Sequence, residues 1–475
     1  MPKHDELIAM NATEVVNLLR TQQIRPHDLL EALEARIAVV DSAVNALPTL
    51  CFDRAHAAAD ALMQQPVDQR GLLCGMPVPI KDLLDVAGVR TTQGSLIFKD
   101  NVPATSNLVV ENLEANGGIV YAKSNTPEFG AGANTFNEVF GATLNPWNTS
   151  RSAAGSSGGA AVALATGMAW LGQGSDMGGS LRNPASFCGV VGMRPSIGRV
   201  AKSPGASVDA TLSVEGPMAR NVADLALMLD AMSGDYAADP LSLPRPPVPF
   251  ADAVRSGWRP LRVAYSPDLG ITPVDPEVAR ITREAAERMA SEGIEVEEAH
   301  PDFSEAHDCF QVLRALNMAG SLSERMRENP GVMKPEVVWN VEKGLALTPM
   351  EIAKAERQRV TLLQRTLAFF ETYDLLLCPS TIVAAFPIEE RYLAECNGTK
   401  FETYIDWLAI VYAITLACCP ALSLPCGFTS ENLPVGLQIV APPRREDRLL
   451  AGAQILEDLL GLRGLTPIDP KPPTS

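Results

Sequence analysis

The chain has 475 residues, 46% of them hydrophobic and 20% charged, and a formal net charge of −17. That balance describes a soluble globular protein with a large core, excludes a disordered chain, and argues against nucleic acid and membrane as partners. No run approaches the roughly 18 apolar residues of a membrane span, and Met1-Pro2-Lys3-His4-Asp5-Glu6 lacks the apolar region of a signal peptide.

The nine cysteines are an odd number, scattered in apolar settings such as Cys74, Cys188 and Cys426. This is the pattern of reduced, buried thiols in a cytoplasmic protein. Cys418-Cys419 is the only close pair, with no histidine near it, so no metal and no cofactor is expected.

In chain order, Asn11 followed by Glu14 has capping-box spacing and predicts a helix continued by Leu18 and Leu19. Pro26 opens a second helix with Leu30, Leu33, Ile37 and Val40 on one face, and residues 53–63 a third, Ala-rich one. This helical lead-in is expected to pack on the core or on a second copy of the chain. Residues 72–80 form an apolar run broken by Gly75, Pro77 and Pro79. Helix 107–116, strand 118–121, helix 160–167, strand 169–174 and helix 221–232 then alternate, an α/β pattern with a largely buried sheet.

Five prolines crowd residues 240–249, marking a linker or boundary. Strand 261–265, a charged helix over 276–293 and an edge-like strand at 294–297 follow. Residues 303–372 read as helical and exposed, and apolar strands are predicted at 374–379, 422–427 and 435–440. The organisation is a lead-in (1–65), the first part of a core (66–238), a smaller, partly helical subdomain (239–372) and a return to the core (373–475) within one intertwined domain.

The densest signal runs from Gly155 to Pro184, where thirty residues hold eight glycines and five serines or threonines. Such a stretch suits phosphate binding or a nucleophilic hydroxyl. Gly155-Ser156-Ser157-Gly158-Gly159 lacks the lysine of a P-loop. None of the five histidines (His4, His27, His56, His300, His307) follows a glycine-rich or strand-end loop, which weakens a Ser-His-Asp arrangement. A serine can instead use a lysine whose charge is disfavoured by burial. Lys81, between Met76-Pro77-Val78-Pro79-Ile80 and Leu83-Leu84, is the best placed; the plain alternative is a salt bridge to Asp82 or Asp85.

Three of these segments closely resemble the amidase signature family: Pro79-Ile80-Lys81-Asp82, Gly155-Ser156-Ser157-Gly158-Gly159 and Asp176-Met177-Gly178-Gly179-Ser180-Leu181-Arg182. The likeness extends to Asn145-Pro146-Trp147, to residues 184–189, to Pro425-Cys426-Gly427 and to residues 433–438. It implies an α/β fold in which a large mixed, twisted β-sheet is sandwiched between helices, with a smaller helical subdomain. It also implies a Ser-cisSer-Lys triad: Ser180 the nucleophile, Ser156 the bridging serine on a cis peptide from Gly155, and Lys81 the base. The N–H groups of Met177, Gly178, Gly179 and Ser180 would form the oxyanion hole. Ser157 and Ser175 would hydrogen-bond within the site, Gly130 would line its acyl side, and Asp176 and Arg182 would brace the loop.

Members of this family hydrolyse aliphatic, aryl and fatty-acid amides or carbamates, or serve as the glutaminase component of a tRNA-dependent amidotransferase. Residues 346–365 lack the tyrosines of such components, and 407–414 are nearly all apolar with Asp406 just outside. The expectation is therefore a stand-alone hydrolase of small or aryl amides, carbamates (urethanes) or esters, acting through an acyl-enzyme on Ser180. The amidotransferase glutaminase is the alternative. The partner would be a small-molecule amide or carbamate, and the assembly a monomer or homodimer.

Overall fold

Eight strands of the computed structural model, which describes residues 3–203 and 210–473, form one mixed sheet. Their spatial order is Glu295–Glu298, Arg262–Tyr265, Leu375–Pro379, Pro434–Val440, Ala421–Phe428, Val191–Arg194, Val214–Ala219 and Leu171–Asp176. The first three run parallel, and every later neighbouring pair is antiparallel. Helices supply much of the remaining buried apolar surface. The chain on both sides of the Pro-rich stretch shares this sheet, since Val214–Ala219 precedes it and Arg262–Tyr265 follows it.

The apolar run ending at Lys81 is itself a strand, Pro77–Lys81, despite its two prolines. It forms one edge of a three-stranded sheet whose centre is Ile119–Ser124 and whose other edge is Thr49–Leu50. An edge strand tolerates proline because half its N–H groups have no ladder partner to lose, and the register slips between Val78 and Ile80. The small sheet is joined to the large one by a side chain: the Lys81 N–H donates to Gln173 Oε1 at 3.0 Å. Two strands, Val191–Arg194 and Val214–Ala219, go beyond the sequence expectation, their apolar runs interrupted by Gly192, Gly216 and Pro217.

Helix Gly158–Ala165 is buried at every position. It can approach the small sheet so closely because a Cβ at Gly159 would stand 2.3 Å from the Asn125 nitrogen and 2.7 Å from the Ala46 oxygen. Among the described residues no helix is long and apolar enough to cross a membrane.

The N-terminal helices His4–Ala9, Ala12–Arg20 and Pro26–Val44 dock on the core. Glu14 reaches back to the Asn11 N–H at 2.9 Å. The next two N–H groups, of Ala12 and Thr13, donate to the Asp224 carboxylate at 2.8 and 2.9 Å. Trp170 Nε1 donates to the Leu7 carbonyl at 3.0 Å. Helices Ala306–Glu328, Pro335–Leu345 and Pro349–Phe369 carry the charged part of the sequence. Ala131, Met318, Leu322, Met333, Val337 and Val341 form a small hydrophobic cluster of their own there, apart from the main core.

Asp224→Ala should release the first helices without unfolding the sheet. Amides of residues 12–20 should lose protection equivalent to about 2 kcal/mol, the worth of charge-assisted hydrogen bonds at a helix start. Hydrogen exchange read by mass spectrometry checks this, and unchanged protection would show that Asp224 does not hold the lead-in.

Candidate active site

Lys81 is the last residue of its edge strand and is fully buried. Its Nζ lies 2.7 Å from Ser156 Oγ, 3.0 Å from Ser157 Oγ and 2.9 Å from Ser175 Oγ. The salt bridge to Asp82 that the sequence permits is made instead by Lys123, at 3.1 Å. Surrounded by hydroxyls, Lys81 loses its hydration without gaining an anion in contact. Burial therefore pulls its ammonium down to about 7, with the Glu215 and Asp176 carboxylates acting in the opposite sense. Glu215 is connected to Lys81 through Gln173, whose Oε1 takes the Lys81 N–H and whose Nε2 donates to Glu215 Oε2 at 2.6 Å. Burial pushes the Glu215 carboxyl up, against the pull of Lys81 and Lys202.

The Gly155–Ser156 peptide is cis. Ser156 enters the site from the loop ahead of helix Gly158–Ala165, while Ser175 comes from strand Leu171–Asp176. The Ser157 N–H donates to the Ser180 carbonyl at 3.1 Å, fixing the two glycine-rich segments against each other. Ser180 is half-buried and lines the same cavity as Ser156 and Ser175. Among the described residues its Oγ has no hydrogen-bond partner; contacts of this kind often tighten only with substrate in place.

Asp176 organises the loop that carries Ser180. Its carboxylate accepts from the Gly179 and Leu181 N–H groups, both at 3.1 Å, and from Arg182 Nε and Nη2 at 3.0 and 2.8 Å. Arg194 Nη1 donates to the Asp176 carbonyl at 2.5 Å. Burial alone would raise this acid, but Arg182 and Arg194 hold it well below the usual carboxylate range. Arg182 also donates to the Val411 carbonyl and Gln438 Oε1, at 2.9 and 2.6 Å. Of the four N–H groups expected in the oxyanion hole, that of Gly179 is thus occupied by Asp176. Those of Met177, Gly178 and Ser180 have no acceptor among the described residues.

The cavity beside these groups has a volume of about 120 Å³. Phe129, Met177, Phe310, Met318 and Leu408 give it apolar walls, and Gly130 lies against Ser156. A Cβ at Gly130 would stand 3.4 Å from Ser156 Oγ and 3.2 Å from Leu83, and the residue has φ +72. Trp407 and Tyr412 are core side chains, buried next to the cavity wall rather than in it. Sequence reasoning missed Gln173 and Glu215, and also Arg314, Asn340 and Tyr404, which line the cavity. The last three come from different helical or loop segments and carry no motif.

A family model described as Amidase matches residues 28–450, nearly the whole chain. The chain belongs to the amidase signature family. It is 34% identical over 457 residues to the acylamidase of Rhodococcus erythropolis, covering 94% of this chain and 95% of that one. It is also 33% identical over 478 residues to the A component of the glutamyl-tRNA(Gln) amidotransferase of Moorella thermoacetica, with 95% and 97% covered. The solved structure of a bacterial aryl acylamidase of the amidase signature family superposes with a TM-score of 0.88 at 25% identity, covering 97% of this chain and 99% of that one. The protein is accordingly an amidase signature hydrolase, an enzyme that cleaves amide C–N bonds.

Asp176→Ala in this amidase would strand two buried guanidinium groups and free the loop. Breaking such a network typically costs about 3–5 kcal/mol. The variant should therefore unfold at markedly lower denaturant concentration or fail to accumulate as soluble protein. A denaturation midpoint equal to that of the unaltered enzyme would show that Asp176 is dispensable to the loop.

Proposed function

We propose that the enzyme hydrolyses small or aryl amides through an acyl-enzyme on Ser180, with Ser156 and Lys81 as the proton relay. The observation that carries this reading is Lys81: a buried amine in contact with three serine hydroxyls, its ammonium pulled down to about 7 by burial. A neutral lysine there is a competent general base at physiological pH. Lys81 Nζ takes the Ser156 proton as Ser156 takes that of Ser180. Ser180 Oγ bonds to the carbonyl carbon, and the oxyanion is met by the open N–H groups of Met177, Gly178 and Ser180. The proton then returns through Ser156 to the nitrogen as the C–N bond breaks and the amine leaves. Water, deprotonated by the same relay, attacks the ester carbonyl and releases the carboxylic acid and Ser180. Carbamates and esters fit the same sequence of steps.

Support for a small acyl or aryl group comes from the cavity, whose roughly 120 Å³ compares with the ~150 Å³ apolar cavity that holds benzene in another protein. Its apolar walls and the likeness to acylamidases favour this over the glutaminase reading. The second reading draws on the likeness to the amidotransferase component. The purified single chain distinguishes them: turnover of p-nitroacetanilide without partner chains supports the amidase, and hydrolysis of glutamine only in the presence of partners supports the amidotransferase glutaminase.

Ser180→Ala should lower kcat by at least about 10⁴-fold and abolish covalent labelling by a fluorophosphonate. Retained labelling would move the nucleophile elsewhere.

Because the neutral form of Lys81 is the active one, kcat/KM should rise with pH through about 7. Glu215 favours the ammonium, so Glu215→Gln should shift that rising limb to lower pH. A limb that stays in place, or moves up, would separate the profile from Lys81.

A further inference from the structure

Arg314, on helix Ala306–Glu328, lines the cavity and is only 5% exposed. Its Nε and Nη1 have no acceptor among the described residues, and its one hydrogen bond is a long one, Nη2 to Gln311 Oε1 at 3.3 Å. It makes no ion pair there. The nearby acid, Asp406, is held at one remove: Gln311 Nε2 donates to Asp406 Oδ1 at 3.2 Å, and the N–H groups of Glu402 and Thr403 take its other oxygen. A second cation gathers beside it instead. Arg314 and Lys343 stand over the same Trp339 ring, at 5.2 and 5.0 Å.

A buried guanidinium without a counter-ion is costly unless a ligand supplies the anion. A further donor is at hand. Tyr404, also on the cavity wall, accepts from Asn340 Nδ2 at 2.5 Å, which leaves its own O–H to donate. The amide orientation is fixed because Nδ2 also donates to the Glu336 carbonyl at 2.7 Å. The net charge of −17 offers an anion no general attraction, so any preference for one must be local.

We propose that the preferred amide carries a carboxylate, paired with the Arg314 guanidinium and the Tyr404 hydroxyl while its scissile carbonyl sits at Ser180. The proposal rests on the amide-hydrolase reading of the same site and names its substrate class. A planar guanidinium holds a carboxylate through two parallel hydrogen bonds, which gives geometric selection as well as attraction.

The test uses matched substrates. On the acyl side these are glutaryl and pentanoyl p-nitroanilide; on the amine side, 4-acetamidobenzoate and 4-methylacetanilide. One acid should exceed its neutral counterpart by at least about 100-fold in kcat/KM, and the pair that responds identifies which end carries the charge. In Arg314→Met that ratio should fall about 100-fold. Arg314→Lys, which keeps the charge and loses the fork, should lower it about 10-fold and serves if the methionine variant does not fold. Turnover of the neutral amides with no acid preference in either pair overturns this proposal alone, as does an acid preference that survives loss of Arg314. Absence of all turnover and of Ser180 labelling overturns the amide-hydrolase reading together with it.

Discussion

The Asp176 carboxylate is the point at which the site is tied to the fold. It ends strand Leu171–Asp176, closes the following loop through the Gly179 and Leu181 N–H groups, and takes up the charge of Arg182. Arg182 carries the connection to Val411 and Gln438, and Gln438 in turn donates to the Ile410 carbonyl at 3.2 Å. The three N–H groups left open at Met177, Gly178 and Ser180 are therefore held by elements far apart in sequence. Dipoles fixed in this way need no rearrangement as charge develops on a substrate oxygen.

The same site shows how two buried lysines on adjacent strands acquire opposite chemistry. Lys123 meets Asp82 at 3.1 Å, the Leu84 carbonyl at 2.7 Å and Thr91 Oγ1 at 2.8 Å, partners suited to an ammonium. Among the described residues the Lys81 amine meets only hydroxyls. Burial lowers both, and for Lys123 the contact with Asp82 opposes it. The negative charge of Asp176, which would otherwise favour a charged Lys81, is largely taken up by two arginines. The distribution of charge around the loop thus bears directly on the protonation of Lys81.

The sequence was informative where a local rule was strong. Asn221 does cap its helix, accepting from the Asp224 N–H at 2.8 Å, and the apolar strands near 376, 424 and 437 lie in the centre of the large sheet. Elements were missed where local signals opposed the tertiary outcome. Gly216 and Pro217 interrupt the apolar pattern of a strand that is nonetheless paired on both sides. Pro77 and Pro79 hid a strand that an edge position permits. For the site, Lys81, Ser156 and Ser180 were legible through motif resemblance, whereas Arg314, Asn340 and Tyr404 were not. The significance of Arg314 and Tyr404 lies in what they lack among the described residues, an acceptor for their remaining N–H and O–H groups, and that is a property of three-dimensional neighbours.

The small hydrophobic cluster of Ala131, Met318, Leu322, Met333, Val337 and Val341 has a consequence for how such an enzyme diversifies. It ties helices Ala306–Glu328 and Pro335–Leu345 to the loop after Glu128–Gly130 along one part of the cavity wall, while Phe310 and Leu408 of that wall belong to the main core. The groups that would break the bond sit on the sheets and the loops that leave them. Substitutions within this cluster can therefore be accommodated within a few side chains, leaving the strand register that aligns Lys81 with its serines undisturbed. Selection can explore new substrates at one module while the reaction is inherited intact at the other.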